Sequence, residues 1–159
     1  MTRQVLTAQI LELDAFARLM RAHTVLRREL EAEVLGPRGL TINDFEALLH
    51  LSRADGKRLR RIDLVDRLML TPSGVTRLLD GLQAAGLVEN RHCDDDARVT
   101  WATLTQEGLD TLECVAVMHT DVLRSLFRGA LDEDEVAQLS ELLGRLPGVG
   151  AGSCTGEPA

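Results

Sequence analysis

The chain has no tyrosine, one tryptophan and three phenylalanines among 159 residues, yet 45% of it is hydrophobic. Aromatic poverty therefore leaves an ordinary globular composition, long enough for a genuine core. No apolar run approaches the roughly 18 residues of a membrane span. The opening MTRQVLTAQILELD meets acid too early for a signal peptide, so the expected location is the cytoplasm, with no membrane partner. Cysteine is scarce as well. Cys93, Cys114 and Cys154 are odd in number and widely spaced, which fits neither a disulfide framework nor a zinc finger. A catalytic signature is also missing. His23, His50, His92 and His119 are scattered, with no Gly-rich phosphate loop and no nucleophile motif, so no enzyme, cofactor or metal is expected.

A basic excess is lacking too. The net charge is −7, and nucleic-acid binding usually shows a basic footprint. The distribution softens this. Residues 56–101 hold eight cations and seven acids, a balance of +1, and the remainder carries −8. The acid gathers at the two ends, and the middle can still meet a polyanion.

What is present is helical periodicity. Leu13, Phe16, Ala17 and Met20, then Leu19, Leu26 and Leu30, predict a long helix from about Thr7 to Val34, ended by GPRG at 36–39. Thr41 or Asn43 can cap a second helix with Phe45, Leu48, Leu49 and Leu51 as its stripe. RRIDLVDRLML reads as a short third helix. TPSGVTRLLDGLQAAGLV, residues 71–88, reads as a fourth, with Thr71 as cap, Pro72 at its first position and Gly86 at its end. LVENRH and RVTWATLT alternate as two strands around the polar turn CDDDA. Two more helices follow. The first carries Leu109, Leu112, Val115, Ala116, His119, Val122, Leu123 and Leu126 on one face, with Cys114 alternating into it as packing. The second opens on an Asp132–Glu135 capping box ahead of Val136, Leu139, Leu142 and Leu146. Residues 148–159 lack periodicity and read as a disordered tail.

Four helices, a hairpin and two helices describe a mainly α (α+β) winged helix-turn-helix with a two-stranded β wing. The lobe spans 37–105 within one domain over 1–147. Helices 7–35 and 106–147 carry more apolar surface than the lobe needs, which points to dimerisation with a second copy. In such a motif the front of the second helix enters the DNA major groove. That gives a reason for the small residues there. Ser73, Gly74 and Thr76 permit close approach, Thr71 opens the helix, and Arg77 has the planar fork that suits guanine. A plain amphipathic helix with a small solvent face is the alternative. At the hairpin, Arg98 suits the narrow minor groove with Asp96 holding its guanidinium, against a solvated turn whose charges do nothing. A metal at His92, Cys93 and Asp94–Asp96 is disfavoured, because soft and hard ligands mix and adjacent strand residues point to opposite faces.

At DDARVTWATLTQEG and LTPSGVTRLLDGLQAAGLVEN the chain resembles the MarR (multiple-antibiotic-resistance regulator) family of winged helix-turn-helix regulators, over residues 10–146. The resemblance implies wing roles for Asp96 and Arg98, groove-facing Ser73, Thr76 and Arg77, and a buried side of Val75, Leu78, Leu79 and Leu82. It implies a homodimer that represses transcription at a double-stranded, pseudo-palindromic operator until a small phenolic or other anionic ligand binds. The family's pocket falls at Phe16, Met20 and Phe45, residues that also suit plain core. One departure is Met69, which stands at the corner where many such motifs have Gly. Two other readings stay open: a winged-helix protein-interaction module without DNA binding, and an oxidant sensor working through Cys93 on the wing.

Overall fold

The computed structural model describes residues 2–92, 99–147 and 149, with backbone alone for 2–9 and 92. Helix α1 (Thr2–Leu30) runs through a five-residue π turn, Glu31–Leu35, into a 3-10 turn, Gly36–Arg38. It therefore starts and continues beyond the stretch that periodicity marked. Gly39, at φ 68°, then reverses the chain in the left-handed region that glycine tolerates. Leu30, Val34 and Leu35 are buried, but residues 10–18 are all exposed.

Helix α2 (Ile42–Arg53) is capped reciprocally. The Asp44 amide donates to the Thr41 hydroxyl oxygen, and the Thr41 amide donates to the Asp44 carboxylate at 2.8 Å. Thr41, not Asn43, is the cap. A 3-10 turn, Asp55–Lys57, leads into strand β1 (Arg58–Arg60), and helices α3 (Arg61–Leu68) and α4 (Pro72–Ala84) follow. Strands β2 (Val88–His92) and β3 (Thr100–Leu104) precede α5 (Gln106–Arg128) and α6 (Glu133–Gly144). The sheet is antiparallel in the order β1-β3-β2: the expected β2–β3 hairpin is present, and β1 adds a third strand beside β3. Arg60, Trp101 and Arg91 share one row of it, and Leu59, Ala102 and Asn90 the next.

Leu48 and Leu51 of α2, Leu64 of α3, Val75 and Leu79 of α4, Val88 of β2 and Val115 of α5 are fully shielded from water. Each such side chain contributes on the order of 1.5–3 kcal/mol by burial. Leu49 and Leu78, expected on the apolar faces, are half-buried.

The corner between β3 and α5 shows what Thr105 and Gly108 do. Gly86, at φ 76°, ends α4. The Thr105 hydroxyl donates to the Gly86 carbonyl at 2.8 Å and accepts from the Gly108 amide at 3.0 Å, while the Thr105 amide donates to the Leu87 carbonyl at 3.1 Å. A Cβ on Gly108 would lie 2.2 Å from that same carbonyl oxygen. These residues clasp the end of α4 to the start of α5.

The chain divides into two compact units, residues 1–120 and 121–159. The first contains all the buried side chains just described. In the second, α6 begins at the expected Asp132–Glu135 capping box, both bonds at 2.9 Å. Val136, Leu139 and Leu143 are half-buried, and none of its described side chains is fully buried. Among the described residues, no helix is long and apolar enough to cross a membrane.

Candidate nucleic-acid interface

Helix α3 stops at Leu68, and the next residue makes the corner. Met69 sits at φ 50°, ψ 33°, with 85% of its surface exposed. A left-handed side-chain-bearing residue costs roughly 1–2 kcal/mol. The corner thus keeps the geometry that Gly would supply, at the expense of local strain and with the Met side chain in water.

Beyond it, the Thr71 hydroxyl accepts from the Gly74 amide at 3.1 Å, and Pro72 occupies the first position of α4. Gly74 has an internal reason as well as an external one. A Cβ there would stand 3.2 Å from the Thr71 capping oxygen. Val75, Leu79 and Leu82 face the core, which leaves Ser73 and Arg77 exposed on the opposite side, with Thr71 exposed at the helix start. Arg77 makes no hydrogen bond or ion pair among the described residues, so its five donors stay available.

The hydroxyls are less free than the residue types suggest. Thr76 Oγ1 donates to the Pro72 carbonyl at 2.9 Å and accepts from Arg61 Nη1 at 3.3 Å, so its proton is already committed. Ser73 Oγ lies 3.2 Å from Thr71 Oγ1 and is exposed. Arg61, at the first position of α3, was not a sequence candidate. Its Nε is buried without a hydrogen-bond partner among the described residues. The doublet of arginines where α3 begins was the available signal.

The sheet is tied to α4 from the wing side, where Asn90 Nδ2 donates to Gln83 Oε1 at 2.7 Å. Arg91 pairs with Glu89 at 2.8 Å, and the Arg58 guanidinium lies 4.9 Å from the centre of the Trp101 ring. The wing tip, with Asp96, Arg98 and Cys93, lies outside the described residues.

A MarR family model matches residues 38–99, from the turn after α1 to the start of β3. The HTH-type transcriptional repressor YetL of Bacillus subtilis is 34% identical over 112 residues, which are 69% of this chain and 67% of that protein. The chain belongs to the MarR family. It is a DNA-binding transcriptional regulator, not an enzyme. Among solved structures, AbsC, a MarR family transcriptional regulator from Streptomyces coelicolor, is similar at 32% identity with a TM-score of 0.73, covering 83% of this chain and 88% of AbsC. Sco3205, a MarR family regulator from the same organism solved in complex with DNA, is similar at 25% identity with a TM-score of 0.74, covering 82% of each chain.

The residues expected to line a MarR ligand pocket are separated by their exposure. Phe16 is 60% and Met20 44% exposed on α1, whereas Phe45 is buried in the lobe. Phe45 stacks on His119 with ring centres 4.6 Å apart. Burial pushes the His119 imidazole below its ordinary range. An open groove of about 640 Å³ lies elsewhere, among Arg38, Leu40, Leu87, Glu107, Asp110 and Cys114. Cys114 is exposed there, not packed as its alternation suggested, with Sγ 4.0 Å from Arg38 Nη2. Leu112 and Val115 define the buried side of α5, and Cys114 lies two residues from Leu112, about 200° around the helix.

Proposed function

We propose that this MarR protein is a cytoplasmic homodimeric repressor that grips a pseudo-palindromic operator through two copies of α4 and two wings. The observation that carries the DNA reading is the front of α4. It is a capped helix start with small exposed residues and one exposed arginine that has no partner among the described residues. Arg77 reads a base edge in the major groove, Ser73 and Thr71 approach the backbone, and Gly74 and Thr76 shape the turn that permits it. On the wing, Arg98 enters the minor groove and Asp96 orients it.

Exposed Ile10, Leu11, Leu13, Phe16 and Met20 on α1, and Leu142 and Leu146 on or just beyond α6, support the dimer. A second copy that covers them buries an interface at the large, obligate end of roughly 2,000 Å² or more. The releasing ligand is a small aromatic anion seated by Phe16, Met20 and Phe45. It shifts DNA binding by favouring a different spacing of the two α4 helices.

The test is a gel shift with duplexes from the protein's own upstream DNA, with and without peroxide. Retardation that peroxide leaves unchanged supports the ligand-gated repressor. Retardation abolished by peroxide and restored by thiol transfers the switch to Cys93. No retardation of any duplex leaves a winged-helix module that binds protein instead. Trp101 fluorescence against a panel of phenolic acids tests the ligand, and a flat response across the panel returns Phe16, Met20 and Phe45 to plain packing.

A further inference from the structure

Between Arg53 and Arg61 the chain reads RADGKRLRR, with five cations and one acid. That is a balance of +4 in nine residues of a protein whose net charge is −7, leaving −11 for the rest. Like charges this dense repel one another unless acids or a polyanion answer them. Arg60 is answered within the chain: it holds Asp63 through two bonds at 2.9 and 2.8 Å, which keeps the Asp63 carboxyl below its usual range. Lys57, Arg58 and Arg61 make no ion pair among the described residues.

Their placement is ordered. Arg58 is exposed, and its guanidinium is fixed over Trp101, an aromatic face that leaves the charge unneutralised. A planar cation held in advance by stacking loses little freedom on meeting an anion. Lys57 precedes it in an exposed turn. At the other end of the run, Arg61 donates to Thr76 on α4, so the basic segment is continuous with the recognition helix.

We infer that Lys57, Arg58 and Arg61 form a phosphate rail beside α4, taking the DNA backbone that flanks the bases α4 reads. The inference rests on the DNA-reading role proposed for α4. The ligand is the phosphodiester itself, so the rail adds affinity without sequence preference. It also answers the charge problem of an acidic DNA-binding protein, because the cations are gathered where the polyanion lies.

The experiment titrates wild type, Lys57→Gln/Arg58→Gln, Arg61→Gln, Arg58→Lys and Arg77→Ala against two duplexes at four salt concentrations. One duplex is the protein's upstream DNA and the other is a scrambled sequence of equal composition. The double variant should weaken both duplexes by the same factor and make the log–log salt slope shallower by about 1.8, which is 0.9 for each of two phosphates. Arg61→Gln should lower it by about 0.9. Arg58→Lys should keep the slope and lose the change in Trp101 fluorescence that DNA produces in wild type. Should the double variant fail to fold, Arg58→Gln alone decides, with a slope lower by about 0.9. A wild-type slope in the double variant, or a loss confined to the upstream duplex, overturns the rail while α4 keeps its role through Arg77→Ala. Wild type that binds neither duplex overturns both.

Discussion

Val75, Leu79 and Leu82 of α4 are 2% exposed or less, whereas Ile10, Leu11, Leu13 and Phe16 of α1 are 60% exposed or more. Both helices carry apolar residues at helical spacing, so periodicity alone makes them look alike. The difference is what the chain itself supplies as cover. Around α4 stand α2, α3 and the sheet, close in sequence and tied by short turns. Residues 10–18 of α1 have no such cover among the described residues. A helix that is apolar on one side and uncovered within its own chain marks the place for another molecule, and a second copy is the simplest.

The sharpest break in this comparison comes from the lobe. Gly108→Ala sets a Cβ against the Leu87 carbonyl at 2.2 Å, with Leu104 Cδ1 at 2.8 Å. Backbone cannot yield there cheaply, so the variant should lose the cooperative melt of the lobe, a cost above about 4 kcal/mol. Leu79→Ala should cost about 2–5 kcal/mol in urea unfolding. Phe16→Asp should do the reverse. It leaves the lobe folded, read by Trp101 fluorescence, and shifts sedimentation from dimer to monomer. A Phe16→Asp protein that still sediments as a dimer would move the interface away from α1.

Smaller effects sharpen the picture inside the lobe. Met69→Gly relieves left-handed strain of roughly 1–2 kcal/mol and adds about 0.5–1 kcal/mol of unfolded-chain entropy. The expected net is stabilisation between zero and about 1.5 kcal/mol, seen as a higher urea midpoint. A clear loss would mean that Met69 makes a contact in the assembled protein. The mildest effect is on pH. His50 is held below its ordinary pKa by burial, then by Arg67 and Arg53, and His119 by burial. The unfolded chain therefore takes these protons first. Stability should be level well above about pH 6.5, the unfolded histidine value, and fall as pH drops below it. The double variant His50→Leu/His119→Leu should flatten that fall, and a midpoint that rises in acid contradicts the assignment.

Much of the lobe was legible because its elements end where chemistry ends them. Thr41 and Thr71 cap as their side chains suggest, as does Asp132 beyond the lobe, and Gly39 and Gly86 take positive φ at the turns. Strand β1 was not legible. Three residues between two polar turns show one alternation, and only the pairing of Leu59 with Ala102 makes them a strand. Cys114 was misplaced because it sits between Leu112 and Val115 in sequence, while the helix carries it to another side. At the interface, residue type pointed to Ser73, Thr76 and Arg77, but it could not tell that Arg61 and Pro72 had already engaged the Thr76 hydroxyl. Sequence shows donors and acceptors, and only the folded chain shows which are spent.

That leaves Arg77 as an exposed donor at the front of α4 with no partner among the described residues. The most direct measurement is the affinity of Arg77→Ala for the upstream operator duplex beside a scrambled one, at a fixed salt concentration. Loss of a bidentate base contact predicts a penalty of about 1–3 kcal/mol on the operator and little change on the scrambled duplex. Equal affinity of wild type and Arg77→Ala for the operator would contradict a reading helix at α4.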